Sequence, residues 1–209
     1  GYGGMPGNGQ MSAKVLLVTG GIGAGKSAVS RMLIERGVPV YFSDDMAKSL
    51  YDRDASLRDS LRRLFGERVF RDGDVDRRAL AELIFADEEK RRALEALVHP
   101  AVFRDFEAWK AERPDCALVA FESAILLDRG LPEGFADYVI YVDAPEELRL
   151  RRAMERDGSA AESVRRRMQS QKAGPEHPAV DFVLDNSGDF KALEAALDGV
   201  LRQIASEKL

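Results

Sequence analysis

Apolar positions along this chain follow two rhythms. Short, nearly continuous apolar runs occupy residues 14–19, 38–42, 117–121, 138–142 and 180–184. Runs of this length and β-branched character read as strands buried on both faces. Between them the apolar positions recur every three or four residues. That spacing predicts helices over 27–36, 43–50, 146–156, 160–171 and 190–205. Gly37 stands where a left-handed cap ends the first helix, and Asp189 where a side chain caps the start of the last. Ser43 offers an N-cap to the 43–50 helix, followed by first-turn acids Asp44 and Asp45. Five strands alternating with helices predict an α/β fold, a mostly parallel sheet with helices on both faces.

One stretch breaks the alternation. Residues 55–111 show helical patterns only, over 56–65, 77–86, 88–98 and 101–111, punctuated by Gly66, the Asp72-Gly73 turn and His99-Pro100. Asp76 is placed to cap the helix that begins at Arg77. A connection this long between two strands is a subdomain, not a loop. The expected division is a core of 11–54, 115–145 and 179–209, a helical insert at 55–114 and an arginine-rich segment at 146–178. Residues 1–10 read as an appended, flexible leader, with Met11 in the position of a natural start.

The first strand runs into Gly20-Gly21-Ile22-Gly23-Ala24-Gly25-Lys26-Ser27, and a helix follows at once. Strand, glycine loop and helix in that order form a P-loop. Glycines let successive N–H groups turn inward on phosphate oxygens, and the helix start adds the positive end of its dipole. The nucleotide cradle is therefore expected at Gly21, Ile22, Gly23, Ala24, Gly25, Lys26, Ser27 and Ala28. Lys26 reaches the β- and γ-phosphates, and the Ser27 hydroxyl is a Mg²⁺ ligand. ATP and Mg²⁺ are the expected cofactors.

Other candidates carry two readings each. Asp44, at the end of the second strand, suits either a general base for an attacking hydroxyl or a helix-start acid; Asp45 suits the latter. Glu122, at the end of a buried strand, suits a water-mediated Mg²⁺ contact or a rim hydrogen bond. Arg149, Arg152 and Arg156 share one helix face, with Arg165, Arg166 and Arg167 on the next helix. Such a face either closes as a lid on the transferring phosphoryl group or is simply solvated. Arg77 and Arg78 open a helix where the dipole disfavours cations, which points to a ligand or to surface decoration. His99 suits a packing residue as well as a ligand contact.

Composition trims the alternatives. The 209 residues carry a formal net charge of −5, which argues against a general nucleic-acid or anionic-membrane binder. One cysteine, Cys116, in an apolar run, excludes an internal disulfide and fits a reducing cytoplasm. Two histidines and one cysteine leave no basis for a zinc site. No apolar run approaches the roughly 18 residues of a membrane span. A GTPase-type switch lacks its Asn-Lys-x-Asp motif, and the sole Asp-x-x-Gly, at Asp185–Gly188, comes too late. An enzyme is favoured over a nucleotide switch.

Together these residues resemble the dephospho-CoA kinase family, over nearly the whole chain after residue 10. Val18-Thr19-Gly20-Gly21-Ile22-Gly23-Ala24-Gly25-Lys26-Ser27 is similar to its Leu-Thr-Gly-Gly-Ile-Gly-Ser-Gly-Lys-Ser/Thr loop, and Asp44-Asp45-Met46-Ala47 to the end of its Asp-Ala-Asp-x-x-Ala motif. Asp76-Arg77-Arg78-Ala79-Leu80, His99-Pro100, Leu150-x-Arg152-x-x-x-Arg156, Gln171 and Asp185-Asn186 follow at family spacing. The chain departs from the pattern at Phe42, where the family has its first motif aspartate, at Ala124 to Asp128, which replaces Pro-Leu-Leu-Phe-Glu, and at Arg149, where many members carry glutamine. The resemblance implies transfer of the ATP γ-phosphate to the ribose 3′-hydroxyl of dephospho-CoA, the last step of coenzyme A synthesis. It implies Asp44 as the catalytic or Mg-associated acid, Lys26, Arg152 and Arg156 on the phosphates, and Arg77, Arg78 and His99 shaping the acceptor site. A cytoplasmic monomer or weak oligomer is expected. Another P-loop kinase, of a nucleoside monophosphate or small metabolite, is the alternative.

Overall fold

The computed structural model describes residues 12–207; the leader reading lies outside them. Seven strands and nine α-helices occur within these residues. The main sheet has five strands, β1 (Lys14–Gly20), β2 (Val40–Phe42), β5 (Leu118–Glu122), β6 (Tyr138–Asp143) and β7 (Phe182–Asp185), in the order β2-β5-β1-β6-β7. β1 pairs in parallel with β5 (Leu16 opposite Ala120) and with β6 (Val18 opposite Ile140), and β6 with β7. β1 is central and buried on both faces: Leu16, Leu17 and Val18 are fully enclosed. That is the environment in which a continuous apolar strand is stable. Tyr41 stacks on Phe121 at 5.3 Å, and Phe121 meets Phe135 edge-on at 5.0 Å.

Helices α1 (Lys26–Glu35), α6 (Leu126–Arg129), α7 (Glu146–Asp157), α8 (Ala161–Ser170) and α9 (Phe190–Ser206) flank this sheet. α9 buries Leu193, Leu197, Val200 and Ile204, a single helical stripe, and Asp189 caps it by accepting from the N–H groups of Lys191 and Ala192. Arg36, just past α1, forks onto Asp198 of α9 through Nε (2.5 Å) and Nη2 (3.2 Å).

By its internal packing the chain divides into two compact units. One comprises the described chain up to Tyr41 and from Arg113 onward; the other is Phe42–Glu112. The second holds α2 (Ser43–Arg53), α3 (Ala55–Phe65), a two-stranded hairpin of β3 (Phe70–Arg71) and β4 (Asp74–Val75), α4 (Arg77–Phe85) and α5 (Glu88–Ala111). The sequence reading counts 43–54 with the core, but α2 packs on α3 and α5. Its Arg53 forks onto Asp105 of α5, both contacts 2.8 Å.

Three expectations need correction in this unit. Residues 55–111 are not free of strands. Asp72 (φ 52°) and Gly73 (φ 84°) form a two-residue turn with both φ positive, which pairs Phe70 with Val75. The paired segments are too short for an alternating pattern to register. Residues 88–98 and 101–111 are one helix, with Pro100 inside it. Leu94, Val98, Ala101, Val102 and Phe106 form one buried stripe through the proline, and packing of that stripe offsets the lost hydrogen bond. Finally, Ser43 is not the N-cap of α2. Phe42 occupies that position, and Ser43 is buried in the first turn. The foreseen cap at Asp76 is present, accepting from Ala79 N at 3.0 Å.

Candidate active site

The P-loop joins the carboxyl end of β1 to α1. Gly23 (φ 76°) and Gly25 (φ 99°) hold left-handed conformations that other residues adopt only under strain. Space excludes side chains there as well. A Cβ on Gly23 would collide with the backbone carbonyl of Arg149, and one on Gly25 with the Asn186 amide. Ala24 N closes the turn onto Gly21 O at 3.0 Å, and Ala28 N caps onto Gly25 O at 3.1 Å. The backbone N–H groups of Gly23, Gly25 and Ser27 make no hydrogen bond within the described residues. Unpaired N–H groups at a helix start form a site for an anion.

Gly23→Ala therefore meets both a forbidden φ and a backbone clash. It should lower stability by about 2 kcal/mol, a Tm fall of roughly 4–8 °C, and weaken ATP binding. Calorimetry and nucleotide titration check both.

Lys26 folds back over the loop, its ammonium donating to Gly20 O (3.1 Å) and Gly21 O (3.5 Å). Beside it opens a cavity of about 390 Å³, within the size range of small-molecule sites. Gly23, Gly25 and Ser27 form its floor, and Arg152 and Arg156 reach it from α7. The opposite wall is Asn186 and Gly188 from the turn after β7 and Phe190 at the start of α9, with Arg31 from α1. Four of the expected residues thus meet in one concave, cationic place: Lys26 beside the cavity, and Ser27, Arg152 and Arg156 on its surface.

The arginine face divides. Arg152 Nη1 lies 3.5 Å from Ala24 O, at the edge of hydrogen-bond range. Arg156 is held by its neighbour Asp157 through Nε (2.9 Å) and Nη2 (3.2 Å), and Asp157 also accepts from Arg167 at 2.9 Å. Arg156, and then Arg167, keep the Asp157 carboxyl at a pKa of about 2. Arg149 does not share the cavity. Its Nε donates to Ala144 O at 3.0 Å and its guanidinium covers Gly21, so one of the three arginines expected on a common face serves the loop instead.

Glu122 accepts a hydrogen bond from the buried Ser30 hydroxyl, one helical turn beyond Ser27. Among the described residues no group of three or more acidic, histidine or cysteine side chains is placed to hold a metal ion. Asp128, in the segment that departs from the family pattern, accepts from Lys172 N (3.1 Å) and Ala173 N (2.6 Å). The shorter acid is thus used to pin the chain leaving α8.

The remaining expected residues lie in the Phe42–Glu112 unit. Asp44 is exposed in the first turn of α2 and makes no hydrogen bond or ion pair there. Arg77 faces α2, 4.0 Å from Asp52. Burial raises the pKa of the Tyr51 phenol, and the Arg77 charge acts to lower it. Arg78 pairs with Glu82 at 3.5 Å on an open surface. The His99 ring is tilted against Phe103 at 6.5 Å.

Sequence reasoning left Arg31, Gly188 and Phe190 out of the site. Phe190 falls on the same helical stripe as Leu193 and Leu197, so periodicity assigns it to the core; in the structure it is 57 % exposed on the cavity wall. Asn186 enters the sequence reading only through the family resemblance, and its amide donates to Ala24 O at 2.9 Å.

The chain as a whole is similar to known proteins. The family model described as dephospho-CoA kinase matches residues 14–192. A dephospho-CoA kinase of Porphyromonas gingivalis is 43% identical over 171 residues, covering 78% of this chain and 84% of its own. One from Thermus thermophilus is 38% identical, with 91% of each chain covered. A crystal structure from Thermus thermophilus superposes with a TM-score of 0.78 at 38% identity, covering 91% of this chain and 97% of that one. A shikimate kinase from Acinetobacter baumannii shares the fold at a TM-score of 0.54 and 19% identity, covering 95% and 96%. Since the family model spans the whole P-loop, all three cavity arginines and the turn after β7, the chain belongs to the dephospho-CoA kinases, which are ATP-dependent kinases.

Proposed function

We propose that this chain transfers the γ-phosphate of ATP to the ribose 3′-hydroxyl of dephospho-CoA, with its own residues in the following roles. The triphosphate lies over the unpaired N–H groups of Gly23, Gly25 and Ser27. Lys26 moves from the loop carbonyls to the β- and γ-oxygens, whose charge competes strongly for it. Arg152 and Arg156 meet the charge on the equatorial oxygens of the transferring group. The acceptor oxygen bonds to the γ-phosphorus as the bond to the β-bridging oxygen breaks, and ADP leaves. Asp44 takes the hydroxyl proton and later gives it to solvent. Its freedom from any ion pair within its unit supports that role.

The observation that carries the reading is the cationic cavity over three unpaired P-loop amides. Mg²⁺ fits the donor set, because it ordinarily takes one or two protein ligands and completes its shell with phosphates and water. Ser27 would hold it directly and Glu122 through a water, and the ion would supply neutralisation of β,γ-phosphate charge. Arg77, Tyr51 and Asp52 form the polar face of the Phe42–Glu112 unit that we assign to the acceptor, with His99 and Arg78 in lesser, shape-giving roles. A cytoplasmic setting suits a chain with one cysteine, and no helix among the described residues is long and apolar enough to cross a membrane.

The test is ADP release from Mg-ATP with dephospho-CoA, AMP, CMP, shikimate or no acceptor. ADP should appear with dephospho-CoA alone. Faster turnover with AMP, CMP or shikimate would transfer the chain to another acceptor, and tight nucleotide binding with no turnover would make it a switch.

A further inference from the structure

The peptide unit between Gly21 and Ile22 is held at every polar atom and on its side chain. Its carbonyl accepts from Ala24 N at 3.0 Å and from the Lys26 ammonium at 3.5 Å. Its N–H points the other way and donates to Gln171 Oε1 at 2.9 Å. The Ile22 side chain packs into the apolar seam between α7 and α8, against a cluster of Leu150, Ala153, Val164 and Met168.

Gln171 is itself fixed from both sides. Its own N–H bonds to Met168 O at 3.2 Å, continuing α8, and its Nε2 reaches Ala124 O at 3.5 Å. The next two residues are bound by Asp128, and Ala173 O also accepts from the Tyr141 hydroxyl at 3.4 Å. A void of only about 10 Å³ remains among these groups, too small for more than one water.

This arrangement has a consequence for the lysine. A peptide next to glycine can flip its N–H and C=O at little steric cost. If the Gly21–Ile22 unit turned over, its carbonyl would leave Lys26 and its N–H would face the ammonium. The acceptor on Gln171 favours the observed orientation, because reversing it would leave a half-buried N–H without its partner. We propose that Gln171 is a positioning residue for phosphoryl transfer. It holds the Gly21–Ile22 peptide in the orientation that places the Lys26 ammonium, and it ties that peptide to the end of the helix pair carrying Arg152 and Arg156. The proposal rests on the reading of Lys26 as the phosphate-binding lysine.

Two substitutions of similar length separate the acceptor from bulk. Gln171→Met fills the space but cannot accept. Gln171→Glu keeps an acceptor oxygen, loses the weak donation to Ala124 O and adds a negative charge. A shift of the lysine by a fraction of an ångström to an ångström can cost up to about 10²-fold. Gln171→Met should lower kcat by about tenfold, with the KM for dephospho-CoA changed less than twofold and Tm within a few degrees of the parent. Gln171→Glu should recover kcat to within about threefold, and its added charge should appear as a raised KM for ATP.

Parent-like kcat in Gln171→Met overturns the proposal, as does an equal loss of kcat in both variants. So does a Gln171→Met whose only change is a raised KM for dephospho-CoA. Lys26→Ala measured alongside keeps the two readings apart. If it turns over at the parent rate, the reading of the lysine fails; if it is inactive while Gln171→Met is normal, only the tie fails.

Discussion

Lys26→Ala should lower kcat by about 10²–10³-fold, ~2.7–4 kcal/mol of transition-state stabilisation, the loss seen when one preorganised charge-stabilising donor is removed. The direction follows from where the ammonium sits. It donates to two neutral carbonyls, Gly20 O and Gly21 O, beside a cavity whose cations are Arg31, Arg152 and Arg156. Phosphate oxygens carrying full charge outcompete carbonyl dipoles, so the lysine exchanges partners on nucleotide binding. Alanine keeps the helix, since it is the best helix former, and Gly21 O keeps its bond from Ala24 N while Gly20 O, at the buried end of β1, loses the bond from the lysine. Steady-state ADP release should therefore collapse while the Tm of the unliganded protein stays within a few degrees of the parent. Turnover within tenfold of the parent would remove Lys26 from the chemistry.

Asp44→Asn should lower kcat by about 10²–10⁴-fold, the range for a positioned general base. The exchange is nearly isosteric and leaves α2 intact, because Asp44 makes no ion pair or hydrogen bond within its unit. The KM for dephospho-CoA should change by less than about threefold, since asparagine still accepts a hydrogen bond from the hydroxyl but cannot take its proton. Asp45→Asn is the matched control. Asp45 shares the first turn of α2, where an acid contributes only a few tenths of a kcal/mol through the helix dipole. Its variant should turn over at the parent rate. A normal Asp44→Asn would leave phosphoryl transfer to positioning and charge neutralisation alone.

The elements that periodicity finds are those in which burial is regular. β1 is apolar on both faces and is found as such; α9 shows one stripe and a cap, and both are present. The misses occur where local signals and tertiary packing disagree. Pro100 is a local stop signal, but α5 runs through it because the buried positions before and after the proline share one stripe. Asp72-Gly73 was legible as a turn, whereas its two-residue strands exist only because the flanking chain is folded back. Ser43 carries the composition of a cap but is drawn into the buried first turn as β2 passes directly into α2.

The same divide runs through the site. By itself the sequence determined the make-up of the candidate phosphate cradle, because its glycines, lysine and hydroxyl lie within eight consecutive residues. It also determined that Arg152 and Arg156 share a helix face, since helical spacing is local. Only the tertiary structure decided what surrounds them. It separated Arg149 from its two neighbours by seating it over Gly21. It brought Asn186 to Ala24 across 162 positions of sequence and Gln171 to Ile22 across 149. Contacts of that range depend on the order β2-β5-β1-β6-β7. That order is set by which strands bury their apolar faces together, a sum over the whole sheet that no short stretch of chain contains.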